Sequence, residues 1–234
     1  MSMQYLIASY PKSGNHYVRY LVEWLTKNPT HGTGDLAWMH KFDKPIFVRL
    51  HNEGHYIGGS YRPENAIAVK RHNINQIILD EKIKKLKMIL IVRNYKEVMV
   101  RFAGGFRRKP PKLSDKQTRH LSWYAGLIEL FEYLIQPKLL LYYEDLITTP
   151  SRSIRILSDF LGNDTVNDPT GLIKNHKYHK QQSLVACGDQ ITKGNATIYH
   201  SKILTKTWKK LLDGYLSDRH AYIYGKYLMR YHTL

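Results

Sequence analysis

The sequence predicts an α/β fold, a three-layer sandwich in which helices cover both faces of a central parallel sheet. Short apolar runs of strand length alternate with longer segments whose apolar residues recur with helical period. Several runs are apolar at consecutive positions, as strands buried on both faces are. With 234 residues and 43% hydrophobic content, the chain can bury one substantial core. We therefore expect a single domain over residues 1–234, with about five strands.

The first element is a predicted buried strand, Tyr5 to Ala8, with apolar side chains at consecutive positions. The turn-forming residues Pro11 and Gly14 follow it, and a helix is predicted after them. The apolar residues of that helix recur at helical spacing and are Tyr17, Val18, Leu21, Val22 and Leu25. This part of the chain therefore forms a strand, a tight loop and a helix.

Two further predicted strands end in cations. Ala66 to Val69 is a short apolar run before a basic triplet that ends at His72, and Met88 to Val92 is a stronger run before Arg93. Asn94 is a residue type that commonly caps a helix N-terminus. The apolar residues of the helix behind it are Tyr95, Val98, Met99 and Phe102.

A long helix, another strand and another helix are predicted in the second half of the chain. The long helix begins near Ser114 and stops near Pro137, because proline interrupts helical hydrogen bonding. Leu139 to Tyr143 is the next strand, and Ser151 to Leu161 is helical, with Gly162 in the position of a C-cap glycine. Strands that alternate with helices in this way form a parallel sheet.

Three segments show no clear period. Residues 28–66 are rich in Gly, His, Asn and Pro, residues 104–116 carry two glycines, two prolines and five Lys or Arg, and residues 163–200 are polar. Such compositions predict exposed loops. Two further helices are predicted around Trp208 and Tyr224.

Charge and cysteine content narrow the class of protein. The net charge of +17 reflects a solvated lysine-rich surface or an anionic partner such as a nucleotide, an acidic acceptor, nucleic acid or a membrane surface. The one cysteine, Cys187, excludes an internal disulfide and a thiol-rich metal site, and it fits a reducing compartment. The apolar runs are too short to span a bilayer, and there is no signal-peptide pattern. We therefore expect a soluble, cytoplasmic protein.

The loop Tyr10-Pro11-Lys12-Ser13-Gly14 is the most informative motif. It leads into a helix whose first N–H groups and dipole favour an anion such as phosphate or sulfate, and Lys12 adds a full positive charge. The loop is not a Walker A motif, because Pro11 and Leu6 occupy the places of its two glycines. Backbone N–H groups cannot wrap a triphosphate here in the usual way, which disfavours a kinase.

Polar residues stand at the C-terminal ends of four different predicted strands, and they are Lys12, His72, Arg93 and Tyr143. The carboxyl ends of parallel strands meet at one edge of a sheet, which is where α/β proteins bind their ligands. We therefore expect these four side chains to line one site.

The motifs around these residues resemble those of the sulfotransferases that use 3′-phosphoadenylyl sulfate (PAPS). The Tyr10 to Gly14 loop is similar to the family's 5′-phosphosulfate loop, and Lys70-Arg71-His72 is similar to the lysine-x-histidine that carries its catalytic base. Arg93-Asn94 with Lys96-Glu97-Val98 resembles its second signature. Tyr143-Glu144-Asp145-Leu146 and Lys193-Gly194 resemble its Tyr-Glu-Asp-Leu and Arg-Lys-Gly elements. The resemblance spans residues 5 to about 213 and implies the P-loop nucleotide-kinase-like sulfotransferase fold.

The resemblance also implies a role for each residue. It places Lys12, Lys70 and His72 in catalysis, with His72 as the general base. In the family, the arginine and the Arg-Lys-Gly loop hold the 3′-phosphate of the donor, and the tyrosine lies beside the adenosine. The residues implied to bind the donor are Lys12, Ser13, Gly14, Asn15, His16, Arg93, Arg101, Tyr143, Lys193 and Gly194.

This chain departs from the family pattern at several of these positions. Asn15-His16 replaces a Thr-Thr pair, Arg101 replaces a serine, and Thr192 replaces the arginine before Lys-Gly. A guanidinium matches phosphate oxygens in a bidentate manner, so Arg101 can offset the loss at Thr192. The departures concentrate around the 3′-phosphate, while the class of donor stays the same.

The predicted reaction moves a sulfuryl group from PAPS to an acceptor hydroxyl, or to an amine, and releases adenosine 3′,5′-bisphosphate (PAP). Like phosphoryl transfer, it requires in-line geometry and neutralisation of the leaving oxygen, and it requires no metal. Lys12 is suited to that oxygen, and a neutral imidazole at His72 can accept the acceptor's proton. The charges of Lys70 and Arg71 oppose protonation of the ring.

Several alternatives stay open from the sequence. His51 also ends an apolar segment and rivals His72 as the base. An ATP-dependent small-molecule kinase would require magnesium, and a basic nucleic-acid-binding protein would bind in a strongly salt-dependent way. The favoured interpretation needs no nucleic-acid partner and expects a small-molecule or carbohydrate acceptor. The Arg, Lys and His content of loops 31–62, 103–118 and 163–190 favours an anionic or sugar-like one.

Overall fold

Strands and helices alternate along the chain in the structure, a computed structural model that describes residues 3–28, 30–32, 66–103, 106, 112–163, 171 and 204–232. The strands are β1 Tyr5–Ser9, β2 Thr30–Gly32, β3 Ala68–Arg71, β4 Lys87–Val92 and β5 Lys138–Tyr142. The helices are α1 Asn15–Thr26, α2 Ile74–Ile78, α3 Glu81–Lys84, α4 Tyr95–Phe102, α5 Asp115–Tyr133, α6 Tyr143–Thr148, α7 Pro150–Leu161, α8 Lys206–Arg219 and α9 Ala221–Ile223. A π-helical turn, Tyr224–Leu228, and a 3-10 turn, Met229–Tyr231, continue from α9.

The strands form one parallel sheet of five, in the order β2-β3-β1-β4-β5. From the central β1 the chain crosses to β2 and β3 on one side, and it then crosses back to β4 and β5 on the other. The strand order therefore reverses between β1 and β4. In open parallel sheets the ligand crevice lies outside the carboxyl ends of the strands at such a point.

Helices cover both faces of the sheet. Successive side chains of each strand point to opposite faces, so the apolar strands need a layer of helices on each side to be buried. Leu6 and Ala8 of β1 belong to a buried cluster that includes side chains of α4, α5 and α8, among them Trp208. Tyr5 and Ile7 belong to a second cluster, formed with α1 and α7. These two cores confirm the predicted three-layer sandwich and its central parallel sheet.

Local signals set the ends of several helices as predicted. Asn94 caps α4 by accepting a hydrogen bond from the backbone N–H of Lys96, and Gly162 ends α7 in the left-handed region at φ 73°. Ser114 caps α5 through a capping box with Gln117. No helix in the described residues has the length and apolar character needed to cross a membrane.

The limits of the predicted strands differ from the observed ones by one or two residues, and the differences at β3 and β5 affect residues of the predicted site. β3 runs from Ala68 to Arg71, so that Arg71 lies inside the sheet opposite Ala8 of β1. Its polar residues are held there by the backbone ladder, which a search for apolar runs does not detect. β5 ends one residue earlier than predicted, because Tyr143 is the first residue of α6.

Candidate functional site

Three of the four residues predicted at the strand ends, Lys12, Arg93 and Tyr143, are linked by direct contacts in the structure. A guanidinium N–H of Arg93 donates to the backbone carbonyl of Lys12 at 3.0 Å. The same guanidinium stacks over the Tyr143 ring, with Cζ 4.2 Å from the ring centroid. The Tyr143 ring in turn covers Gly14, because a Cβ atom at Gly14 would lie 2.3 Å from its Cδ2. The ends of β1, β4 and β5 thus share one cluster.

The loop after β1 has an unusual backbone. Lys12 has φ 68° and Gly14 has φ 97°, two left-handed residues close together. For a lysine this backbone conformation is uncommon. Non-glycine residues adopt it where the surrounding structure enforces it, often at ligand sites. The carbonyl bond from Arg93 supplies that constraint here. The Lys12 side chain is exposed, so its ammonium projects from the loop toward solvent.

The N-terminus of α1 is suited to an anionic ligand. Gly14 caps the helix without a side-chain hydrogen bond, and the first turn carries no acidic residue. Ser13 is fully buried and Asn15 is 7% exposed, yet in the described part of the chain Ser13 Oγ and Asn15 Oδ1 have no hydrogen-bond partner. Buried polar atoms are normally paired, so these two are available to bind a polar group of a ligand. A hydroxyl, an amide that can present its NH2 group, and the positive end of a helix dipole suit phosphate oxygens.

His72 lies directly after β3 and is held by β1. Its Nδ1 is 2.5 Å from the backbone carbonyl of Ser9 and 3.3 Å from Ser9 Oγ. Because a carbonyl only accepts hydrogen bonds, Nδ1 carries the proton and Nε2 keeps its lone pair. The Trp123 indole N–H donates to the His72 carbonyl at 2.8 Å, which also fixes the backbone of this residue.

The electrostatic surroundings keep His72 neutral. Partial burial and then the charge of Lys70 lower the pKa of His72 to about 4, with further contributions from Arg19 and Lys12. The hydrogen bond that Nδ1 donates to the Ser9 carbonyl opposes this shift but does not cancel it. At pH 7 the ring is therefore an unprotonated imidazole whose Nε2 can accept a proton.

His16 lies beside the same cations. Burial of its ring lowers the pKa of His16, and the charges of Arg19, Lys70 and Lys12 lower it further. His16 itself is exposed, so the neighbouring cations affect its protonation more than burial does. A neutral His16 can offer an N–H donor in the place where the family has a threonine hydroxyl.

Arg93 and Arg101 form the cationic side of the site. Arg93 is only 2% exposed and faces the buried Glu97, with Nη2 to Oε2 at 3.8 Å. Burial and then the neighbouring charge of Arg93 lower the pKa of Arg101, while Tyr143 and Glu97 raise it. Arg101 thus lies close enough to Arg93 and Tyr143 to interact with them electrostatically, and its role at the nucleotide stays a prediction.

Several contributors were missed from the sequence. Tyr124 donates its hydroxyl to the Arg93 carbonyl at 2.6 Å, and Glu144 accepts from the backbone N–H of Asn94 at 2.9 Å. Ser9 and Trp123 hold His72 through backbone carbonyls, for which a sequence carries no signal. Glu144 belongs to the Tyr-Glu-Asp-Leu motif, from which a role was predicted only for Tyr143.

Some predicted residues lie outside the described part of the chain. These are His51, the rival base, and Lys193 and Gly194, the remnant of the C-terminal loop. Most of the predicted acceptor loops also lie there. Their roles stay predictions.

Gly14→Ala tests the close approach of Tyr143. The left-handed conformation alone costs a side chain about 1–2 kcal/mol, and displacement of the Tyr143 ring adds to this. Gly162→Ala is a matched control, because Gly162 also has positive φ, at 73°, but its added Cβ meets nothing within 4 Å. We expect urea unfolding to show a larger loss of stability for Gly14→Ala, with the excess recovered in the Gly14→Ala/Tyr143→Ala double variant. Equal losses at the two glycines would contradict the contact.

The sequence matches the family model described as the sulfotransferase domain over residues 2–231. Among curated relatives, mouse Sulfotransferase 1A1 is 25% identical over 205 residues, which cover 75% of this chain and 65% of the mouse protein. The chain thus spans less than two thirds of that relative. Sulfotransferase 1A1 of Canis lupus familiaris is 23% identical over an alignment of 251 residues, which covers 94% of this chain and 82% of the dog protein.

Solved sulfotransferase structures share the fold. Mouse sulfotransferase SULT7A1 complexed with PAP superposes with a TM-score of 0.52 at 17% identity, covering 93% of this chain and 83% of that one. Retinol dehydratase in complex with androsterone and the inactive cofactor PAP superposes with a TM-score of 0.54 at 14% identity, covering 92% and 80%. These likenesses confirm the predicted fold, and the match over residues 2–231 shows that the chain belongs to the sulfotransferase family.

Proposed function

We propose that the chain is a PAPS-dependent sulfotransferase that transfers a sulfuryl group to an acceptor hydroxyl, with an amine as the less favoured acceptor. One arrangement carries the proposal. The lysine loop at the carboxyl end of β1 presents an exposed ammonium and two unpartnered buried polar atoms, and the neighbouring β3 ends in a neutral, oriented histidine. In this proposal, the residues that contact the donor and the residue that acts as the base lie on neighbouring strands, at the edge where the strand order reverses.

The donor assignment is supported by the fit of this edge to an adenosine bisphosphate. Lys12, Ser13 and Asn15 suit the 5′ end of the donor, through a charge, a hydroxyl and an amide. Arg93, Arg101 and the Tyr143 ring suit the 3′-phosphate and the adenosine. Two solved relatives are described as complexes with PAP, which agrees with this class of nucleotide.

The residues divide the chemistry between them. When bound, PAPS supplies the sulfuryl group and leaves as PAP. The Lys12 ammonium neutralises charge that develops on the leaving oxygen. Such electrostatic stabilisation is usually the largest contribution of a protein to the rate of an in-line displacement. His72 Nε2 accepts the proton of the attacking hydroxyl, while the Nδ1 bond to Ser9 keeps the ring in the required tautomer. Partial burial and the charge of Lys70 keep the ring unprotonated before each turnover.

The acceptor is proposed only by class. Retinol dehydratase, which shares the fold, is described in complexes with androsterone and with retinol, which supports a small hydroxyl compound as the acceptor. The basic composition of the predicted acceptor loops favours an anionic or sugar-like hydroxyl compound for this chain. We further propose a cytoplasmic enzyme of one domain, on the grounds of its single cysteine and its length.

Calorimetric titration separates the proposed function from the alternatives. We expect PAP to bind without added magnesium, and we expect ATP to bind more weakly. ATP binding that depends on magnesium, with no binding of PAP, would identify a kinase instead. Binding to single-stranded nucleic acid that falls steeply with salt and does not change in a Lys12→Met variant would favour a nucleic-acid-binding protein.

A further inference from the structure

The last described residues of the chain are fastened to the ends of β4 and β5. We call Tyr227 to His232 the C-terminal strap. The Tyr142 hydroxyl donates to the carbonyl of Tyr227 at 3.2 Å. Arg230 makes two bonds to Asp145, at 2.6 and 3.1 Å, and its guanidinium lies 4.0 Å from the centroid of the Tyr142 ring.

A buried lysine fastens the strap from the α4 side. Lys96 is fully buried, and its ammonium donates to the carbonyl of Tyr231 at 2.8 Å and to that of His232 at 3.3 Å. The same ammonium lies 3.0 Å from a carboxylate oxygen of Asp213 in α8. A buried charge with this many partners is costly to disturb, so the position of the strap relative to α4 is well defined.

One carboxylate links the strap to the nucleotide end of the site. Glu144 is half-buried; its Oε2 accepts from the Tyr231 hydroxyl at 2.7 Å, and its Oε1 accepts from the backbone N–H of Asn94 at 2.9 Å. Burial, and then the charge of Glu144, raise the pKa of Tyr231, so its hydroxyl stays protonated and donates. Tyr231 thus holds Glu144 in the orientation that reaches Asn94.

The bond to Asn94 matters because it fixes the peptide unit that follows Arg93. The carbonyl of this unit accepts from the Tyr124 hydroxyl at 2.6 Å, and its N–H donates to Glu144. With both ends bonded, the plane cannot rotate, and the Arg93 side chain leaves the backbone in one direction. That direction takes it to the Lys12 carbonyl and over the Tyr143 ring.

We infer that Tyr231 and Glu144 are positioning residues that couple the C-terminal strap to the donor site through the Arg93–Asn94 peptide unit. Neither residue is required to touch the donor or the acceptor. Their loss should loosen Arg93 and, through its carbonyl bond, the Lys12 loop. The effect on the donor should appear as weaker binding, while proton transfer at His72 on the neighbouring strand should be spared. The part of this inference that concerns the donor rests on the proposed function.

Tyr231→Phe tests the coupling, with Tyr142→Phe as its matched control. Each variant removes one hydroxyl bond to or from the strap, but only Tyr231 reaches Glu144. For Tyr231→Phe we expect the Kd for PAP and the KM for PAPS to rise roughly tenfold, with kcat changed less than about twofold, as loss of a bond to a charged group predicts. Tyr142→Phe should leave both constants unchanged. Equal effects of the two variants, or no effect of Tyr231→Phe on PAP binding, would overturn the inference.

A measurement without nucleotide separates this inference from the proposed function. In the free protein, amide hydrogen exchange should be faster in Tyr231→Phe than in Tyr142→Phe for peptides that cover residues 10–16 and 93–96. If the unmodified protein binds no PAP, the proposed function fails, yet faster exchange still supports the coupling and unchanged exchange refutes it. If Tyr231→Phe does not fold, Glu144→Gln replaces it, because the amide has one oxygen where the carboxylate has two and therefore cannot accept from both Tyr231 and Asn94. Unaltered exchange in Glu144→Gln would likewise overturn the inference.

Discussion

Replacing Lys12 by Met is expected to lower kcat roughly 100- to 1000-fold, the loss seen when one preorganised donor to a developing charge is removed. Methionine keeps the length of the stem and removes only the charge. Lys12 is exposed, and its ammonium makes no hydrogen bond or ion pair with any described residue, so the protein should unfold at nearly the same urea concentration. The KM for PAPS should rise as well, because the ammonium also attracts the donor before reaction.

Lys84→Met is the control for Lys12→Met. Lys84 belongs to α3 and pairs with Glu81 at 2.5 Å, a partly exposed pair away from the loop. The Lys84→Met variant changes the net charge by the same amount as Lys12→Met, so it controls for a general effect of charge on the rate at which the donor meets the protein. If the two variants retained equal activity in a sulfate-transfer assay at saturating PAPS, the role assigned to Lys12 would be wrong.

Local pattern was sufficient to predict the part of the fold that carries the site. The run at β1, the turn residues after it and the spacing along α1 all indicate the same strand, loop and helix, and such agreement makes a prediction dependable. β2 was not predicted, because Thr30–Gly32 is short and polar. Its strand conformation comes from pairing with β3, where Thr30 lies opposite Ala68, and single-sequence patterns do not contain that partner.

The site was predicted to the level of which residues meet, but not how they meet. The carboxyl-end rule placed Lys12, Arg93 and Tyr143 together, since it depends only on strand direction. That the Arg93 guanidinium supports the Lys12 carbonyl could not be predicted, because backbone carbonyls are the same at every position. The cation at Lys70 was correctly connected to a neutral His72, whereas the Ser9 carbonyl that selects its tautomer was not.

The pH dependence of the reaction should distinguish His72 from an ordinary surface histidine. A lowered pKa means that the ring stays neutral to lower pH, so kcat/KM should remain level through pH 6 and fall only near pH 4. An unperturbed histidine base would produce the fall near pH 6.5. Since Lys70 opposes protonation, Lys70→Met should raise the pKa of His72 and move the acid limb upward. Circular dichroism at each pH confirms that the protein stays folded over the range used.

His72→Ala should lower kcat roughly 100- to 10,000-fold, the usual contribution of a positioned general base, and should abolish the acid limb near pH 4. His220→Ala is the matched control. His220 lies at the end of α8, where Nδ1 bonds Glu129 at 2.7 Å, and the variant should retain the activity and pH profile of the unmodified protein. The combined readout is decisive because a structural histidine would change stability without removing a limb of the profile. If His72→Ala kept full kcat, or kept the acid limb, His72 would not be the base, and His51 would be the first candidate for that role.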